Sequence, residues 1–417
     1  LVDTAEMSRD EGWRCDLRSL AREIKRRAYD PFRYISEVRF DAIVAEIDRA
    51  IPNLTDAQII VELTKLLHPL GDGHARLRPS EEQPELWHAL PVSVFLFEEG
   101  VFITAVDPTH ADLLGARILR LDDREVDDVI AALDPLLHRD NDNQQWVKTQ
   151  VPDRLRALRM LHALGLVADP QMVALTLRGV DGETRIVELA VASDPPSLRR
   201  ERPAPYPYGW ISYPETCPGP LPLYLRNRGV AYWFTHLPDE RTVYFQLNAM
   251  RDDPRESLRD FSARLFAFID EHAVDKLVID LRWNDGGNTF LALPLLQRVI
   301  GSKVNRRGRL WVIIGRRTFS AAQNGAGMFD RYTEAIFVGE PTGSSPSFVG
   351  ETVEFTLPYS KATANVSDLL WQSTWPMDYR TWIAPTLYLP PTFAAYHANR
   401  DPPLEAILAW NDHLPAL

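Results

Sequence analysis

The chain opens with helical patterning. Thr55-Asp-Ala-Gln58 is a capping-box sequence, and after it Ile59, Leu63, Leu66 and Leu67 share one helical face until His68-Pro69-Leu70-Gly71 stops the run. Residues 1–80 therefore read as an N-terminal helical segment. From Pro91 the period shortens. "PVSVFLFEEGVFITAV" is two strand-like runs around Glu98-Glu99-Gly100, and "GARILRLDDREVDDVIAAL" gives a strand, an Asp122-Asp123 turn and an amphipathic helix. "MVALTLRGVDGETRIVELAV" (172–191) is a further hairpin turning at Asp181-Gly182. Together these predict a small β-rich module over 90–195 with one or two helices.

Residues 202–222 hold seven prolines, Pro203, Pro205, Pro207, Pro214, Pro218, Pro220 and Pro222. That density continues neither a helix nor a central strand, so the stretch reads as a stiff connector or a draped loop. Beyond it, over 225–417, the pattern becomes α/β. Apolar strands near Val243–Leu247, Lys276–Leu281, Leu310–Ile314 and Ala335–Val338 alternate with helices near 256–272, 289–300 and after Ser320. Near-continuous apolar strands separated by helices predict a largely parallel sheet covered on both faces. "NRDPPLEAIL" reads as a turn and a closing helix.

Composition changes this picture little. A chain of 417 residues with 45% hydrophobic and 25% charged residues reads as a soluble globular protein of two or three domains. A net charge of −12 argues against nucleic acid or an anionic membrane as the main partner, and no stretch has the length of a membrane span. The chain begins at Leu1, which reads as a fragment or a processed product, so an already removed signal peptide leaves the compartment open. Cys15 and Cys217 are too far apart for a metal pair and could be two thiols or one disulfide. The histidines are scattered with no HExxH or Cys/His cluster, and there is no GxGxxG after a strand and no P-loop. Neither a metal nor another cofactor is expected.

Candidate chemistry gathers in three loops that each follow a strand: "DLRWNDGGN" (280–288), "GRRTFSAAQN" (315–324) and "GEPTGSSPS" (339–347). Sites on such sheets form at the carboxyl ends of strands. Ser320 stands where a buried strand hands over to a helix, a place that suits a nucleophile and a plain helix cap equally. Gly286-Gly287 lets backbone N–H groups approach a ligand, and with Ala321 could hold an oxyanion; a tight turn is the plainer reading.

In order and spacing, "LVIDLRWNDGG", "TFSAAQNGAG" and "VGEPTG" resemble the S41 serine peptidases, the C-terminal processing proteases and the tricorn core among them. The likeness is strong over about 225–410 and extends more loosely to "LGDGHARL" (70–77) and to the 90–195 module. It implies a crotonase/ClpP-like α/β catalytic core, a PDZ-like β-rich module and an acyl-enzyme mechanism on a peptide or small acyl substrate. Ser320 matches the family's nucleophile, and Gly286, Gly287 and Ala321 match its oxyanion hole. The processing-protease branch takes a lysine base from the third loop, but here Ser345 fills that position and the loop has no lysine. The tricorn-like branch uses an N-terminal histidine, which matches His74, a residue that could otherwise be a loop histidine bonded to Asp72. An imidazole of near-neutral pKa suits the general-base task. The same branch places an acid shortly before a late proline, which matches Asp378 ahead of Pro385, or else Asp378 is a surface aspartate near Trp371, Trp375 and Trp382. One departure stands out: the relay serine before the histidine is Gly73. The fold family also contains retinoid-binding modules, so a hydrophobic-ligand-binding protein, or an acyl transferase or esterase using the same serine, is the alternative.

Overall fold

The computed structural model describes residues 6–80, 88–192, 206–207 and 209–410. Its central sheet has six strands. Thr242–Leu247, Lys276–Asp280, Leu310–Ile314 and Ile336–Gly339 run parallel side by side, continued by Leu387–Tyr388 at one edge. Tyr232–Leu237 closes the other edge antiparallel. Side chains alternate across the pleat. Val243, Phe245, Leu277, Ile279, Val312 and Ile314 meet helices Leu258–Glu271, Ala292–Gly301 and Ala321–Tyr332 on one face. Tyr244, Val278, Trp311 and Ile313 pack on the opposite face against Leu404 and Ile407 of helix Pro402–Leu408. Both faces are buried, which is why these strands read as unbroken apolar runs.

A second, antiparallel sheet orders Val92–Phe97, Gly100–Val106, Arg117–Leu121, Met172–Arg178 and Thr184–Ala190 side by side. Helices Val126–Ala132, Gln144–Leu155 and Leu158–Ala163 pack on it. Gln144–Leu155 has no clear apolar stripe: its buried positions mix Gln145 and Thr149 with Trp146, Val147, Val151 and Leu155, and Pro152 sits inside it. Of the proline-rich stretch, Pro203 and Pro205 lie outside the described residues, whereas Ile211–Ser212 adds to the second sheet beside Gly100–Val106. Cys15 and Cys217 are both free thiols. Among the described residues no helix is long and apolar enough to cross a membrane.

The N-terminal helices Arg9–Arg27, Glu37–Ala50 and Asp56–Lys65 fold back onto the second half of the chain. Two are opened by capping boxes, Ser8 with Glu11 and Thr55 with Gln58. After Gly71 turns the chain at φ +61°, the short strand Arg76–Arg78 pairs antiparallel with Thr363–Asn365. Its partner belongs to a long hairpin, Ser347–Thr356 with Thr363–Gln372. Leu357, Ala362, Ala364 and Val366 of that hairpin join Trp13, Leu17, Leu20 and Ile24 in one apolar cluster. This docking carries residues 72–75 to the C-terminal half of the chain.

Candidate active site

The strand Leu310–Ile314 ends in a turn pinned to its neighbours. Thr318 N–H donates to the Gly315 carbonyl at 2.8 Å, Thr318 Oγ1 to Leu281 O at 3.1 Å, and Phe319 N–H to Asn284 O at 3.1 Å. Gly343 N–H of the third loop donates to Thr318 O at 3.0 Å, so all three loops converge here. Ser320 emerges at φ +56°, ψ −126°, a conformation that costs a non-glycine residue about 1–3 kcal/mol. It occupies the N-cap position of helix Ala321–Tyr332, yet its side chain makes no capping bond. Its own N–H is held by Ser344 Oγ at 3.0 Å, which leaves the hydroxyl uncommitted. A plain cap would use the hydroxyl and avoid the strain.

The glycine loop presses directly on this turn. A Cβ at Gly286 would lie 2.7 Å from Ser320 Cβ and 3.1 Å from both Ser320 Oγ and the Ala321 nitrogen, and Gly286 and Gly287 sit at φ +113° and +135°. Gly286 N–H already donates to Asn284 Oδ1 at 3.0 Å. Among the described residues Gly287 and Ala321 have no such acceptor for their N–H groups, and Ala321 N–H points from the first turn of a helix. If Ser320 is the nucleophile and Ala321 N–H an oxyanion donor, as the sequence suggests, Gly286→Ala should lower kcat/KM by about 100- to 1000-fold, because the added methyl meets both. A variant within threefold of wild type in a steady-state assay would contradict that packing argument.

His74 comes to the same place from the N-terminal segment. Its ring packs on Phe319, next to Ser320, at 4.5 Å between centroids, and stacks on Phe348 at 5.7 Å. The loop is fixed through the backbone: His74 N–H donates to Asp72 Oδ1 at 2.8 Å, Asn365 Nδ2 to His74 O, and Ser367 N–H and Oγ to Asp72. Both ring nitrogens are buried without a hydrogen-bond partner. Burial holds the imidazole down at about 3, with Arg76 adding to the effect and the nearby Val349 carbonyl opposing it. The imidazole is thus neutral, with a free lone pair, throughout the ordinary pH range.

Asp378 does not reach His74. Burial alone would raise its carboxyl, but hydrogen bonds from Arg380 and Thr374 outweigh that and hold it below the usual range. Arg380 Nε lies 3.0 Å from Oδ1, Thr374 Oγ1 2.8 Å from Oδ2, and Arg380 also pairs with Asp330 at 2.8 Å. The spacing to Pro385 carries no information about this arginine two residues on. Asp378→Asn should leave kcat within about threefold while lowering the melting temperature, as expected for a buried charge-assisted bond worth about 1.5–3 kcal/mol. A drop of orders of magnitude in kcat with the fold intact would return the acid's role to Asp378.

The acids that do lie beside His74 are Asp72 and Asp140: a ring nitrogen of His74 and one oxygen of each lie within 4.8 Å of one another. His74 Nδ1 to Asp72 Oδ1 is 3.9 Å. Such donors also suit a metal ion, but a cation there would take the lone pair that a base needs. Asp140 gave no signal in the sequence. It lies in His138-Arg-Asp-Asn-Asp-Asn143, a polar run that looks solvated, although His138, Arg139, Asp140 and Asn143 are all buried. Ser345, in the position of a lysine base, is also buried and donates to Thr381 O at 2.8 Å. Lys361 is exposed in the distal turn of the long hairpin.

No protein-family model and no curated protein matches the chain. Among solved structures, mature CPAF complexed with lactacystin superposes with a TM-score of 0.64 at 13% identity, covering 94% of this chain and 96% of that one. A serine-to-alanine mutant of CPAF gives 0.64 at 13% identity over 98% and 99% of the two chains. The photosystem II D1 C-terminal processing protease gives 0.42 at 13% identity over 92% and 94%. Identities this low speak to the fold alone: the chain is a mixed α/β protein that shares the fold of CPAF over nearly its whole length.

Proposed function

We propose that this protein is a serine peptidase of the S41 type, with Ser320 as nucleophile and His74 as its general base. The strained, uncapped Ser320 against Gly286, with the His74 imidazole packed on the adjacent Phe319, is the observation that carries the reading. Closure of the His74 ring onto Ser320 Oγ lets the neutral imidazole accept the hydroxyl proton as oxygen attacks the acyl carbon. The N–H groups of Gly287 and Ala321 stabilise the oxyanion, while Gly286 supplies the close approach. The protonated imidazole then gives its proton to the leaving amine, and water repeats the cycle on the acyl-enzyme. A cavity of about 1000 Å³ is bounded by Phe95, Lys148, Trp283, Asp285 and Arg317, next to the glycine loop and the serine turn in the chain, although neither Ser320 nor His74 lines it.

In this reading residues 225–417 form a crotonase/ClpP-like core, 90–195 a PDZ-like module, and 1–80 the segment that contributes His74. A ligand-binding protein on the same fold would have no use for a strained serine or a free base. The test is hydrolysis of an unfolded protein substrate, followed by mass spectrometry of the fragments. The mature CPAF structure holds lactacystin, so that compound should also block turnover here. Intact substrate after prolonged incubation at high enzyme concentration would reject the peptidase assignment.

A further inference from the structure

We infer that Asp140, not Asp378, is the residue that positions the His74 imidazole and balances its charge when it takes the Ser320 proton. This rests on the serine-hydrolase reading above. The first observation is the space next to His74. A Cβ on Gly73 would lie 2.8 Å from Asp140 Oδ1 and 3.1 Å from the Phe319 ring, so a serine where the relay serine of the resembling family would stand would have to displace the Asp140 carboxyl. The Asp140 carboxyl fills that space and accepts the Gly73 N–H at 2.9 Å.

The second observation is what remains uncommitted. Asp72 is closer to Nδ1, but both its oxygens accept bonds from His74 N–H, Ser367 N–H and Ser367 Oγ, which tie the loop to the hairpin. Asp140 is 1% exposed, and although the Ser344 hydroxyl and the Ser345 N–H act on its carboxyl, its buried Oδ2 has no close hydrogen-bond donor among the described residues. A buried carboxylate oxygen without a close donor, within 4.8 Å of the imidazole, has the lone pairs an orienting acid requires.

The third is rigidity. Asn143 caps helix Gln144–Leu155, and its Nδ2 donates to Thr342 O and Thr381 O, both at 3.1 Å. Trp146 of that helix donates to Gly73 O at 3.1 Å and stacks on Phe319 at 3.8 Å. The loop bearing Asp140 is therefore clamped between the histidine segment, the serine turn and the third loop. The separation of up to 4.8 Å closes by side-chain rotation, as catalytic hydrogen bonds commonly tighten only once substrate is bound.

Burial, reinforced by the neighbouring Asp72 carboxylate, pushes Asp140 up to about 7. The groups facing it are Asp72 and His74 on the N-terminal segment, Tyr34 from the N-terminal helices and Ser344 and Ser345 from the third loop. Because it must be ionised to serve the imidazolium, kcat/KM should rise with pH through about 7.

The decisive experiment compares wild type with Asp140→Asn, which keeps an oxygen for the Gly73 N–H but removes the charge. A positioning role predicts that kcat falls at least about 100-fold with KM nearly unchanged, and that the limb near pH 7 disappears. A purely structural role predicts full kcat and an unaltered profile, and that result overturns the inference. Should Asp140→Asn not fold, the wild type decides: a limb near 7 while the His74 ring resonances in NMR show it staying neutral supports the role, and a flat kcat/KM from pH 5 to 9, or a limb that tracks protonation of His74, rejects it. An inactive wild type would fail the hydrolase reading itself, so the two failures are distinguishable.

Discussion

Ser320→Ala should fold like wild type and lose turnover by about 10⁴-fold or more. The substitution removes only Oγ, which makes no hydrogen bond here, and the backbone bond from Ser320 N–H to Ser344 Oγ survives it. Alanine meets the same strain at φ +56° as serine, so the melting temperature should move by no more than a few degrees. Loss of the nucleophile removes on the order of 5 kcal/mol or more of transition-state stabilisation and leaves what oxyanion donors and binding provide. A steady-state assay alongside thermal denaturation separates the two quantities. Near-normal turnover in the folded variant would exclude Ser320 from the chemistry.

His74→Ala should cost a comparable factor, since a serine hydroxyl is a poor nucleophile until a base takes its proton. Lys361→Ala, changing an exposed lysine far along the hairpin, should be neutral. The pH dependence carries a sign as well. An imidazole of ordinary pKa would give an acid limb near 6.5, but burial depresses His74 to about 3. From His74 alone, activity should persist as pH falls through 6.5 and fail only near the lower value. Stability follows the same group: between those pH values the unfolded chain binds a proton that the folded chain refuses, so folding weakens as pH falls below 6.5. A limb at 6.5 that vanishes in His74→Ala would mean that the ring is more hydrated than its packing on Phe319 and Phe348 implies.

Much of this architecture was legible because burial on two faces leaves a direct mark. The runs at Thr242–Leu247, Lys276–Asp280 and Leu310–Ile314 could hardly be anything but covered parallel strands. The Thr55–Gln58 capping box opened a helix as the local chemistry dictates. The hairpin Ser347–Gln372 does not show in the pattern, because each strand is buried only over its first half and largely exposed over its second, with no clean alternation. Helix Gln144–Leu155 was missed for a related reason, since it buries glutamine and threonine beside tryptophan and valine. That miss hid Asp140, which a linear reading separates from His74 by the first strands of the second sheet. Asp378 shows the converse: its spacing to a proline is visible in the sequence, whereas the arginine two residues on that holds its carboxyl leaves no such mark.

The most direct measurement is the site of covalent labelling. The full chain is treated with a fluorophosphonate, which phosphonylates an activated serine, and digested, and the adduct is located by tandem mass spectrometry. The account predicts one stoichiometric adduct on Ser320, absent from Ser320→Ala and slowed by orders of magnitude in His74→Ala. An unlabelled wild type, or an adduct on another residue that persists in Ser320→Ala, would contradict it.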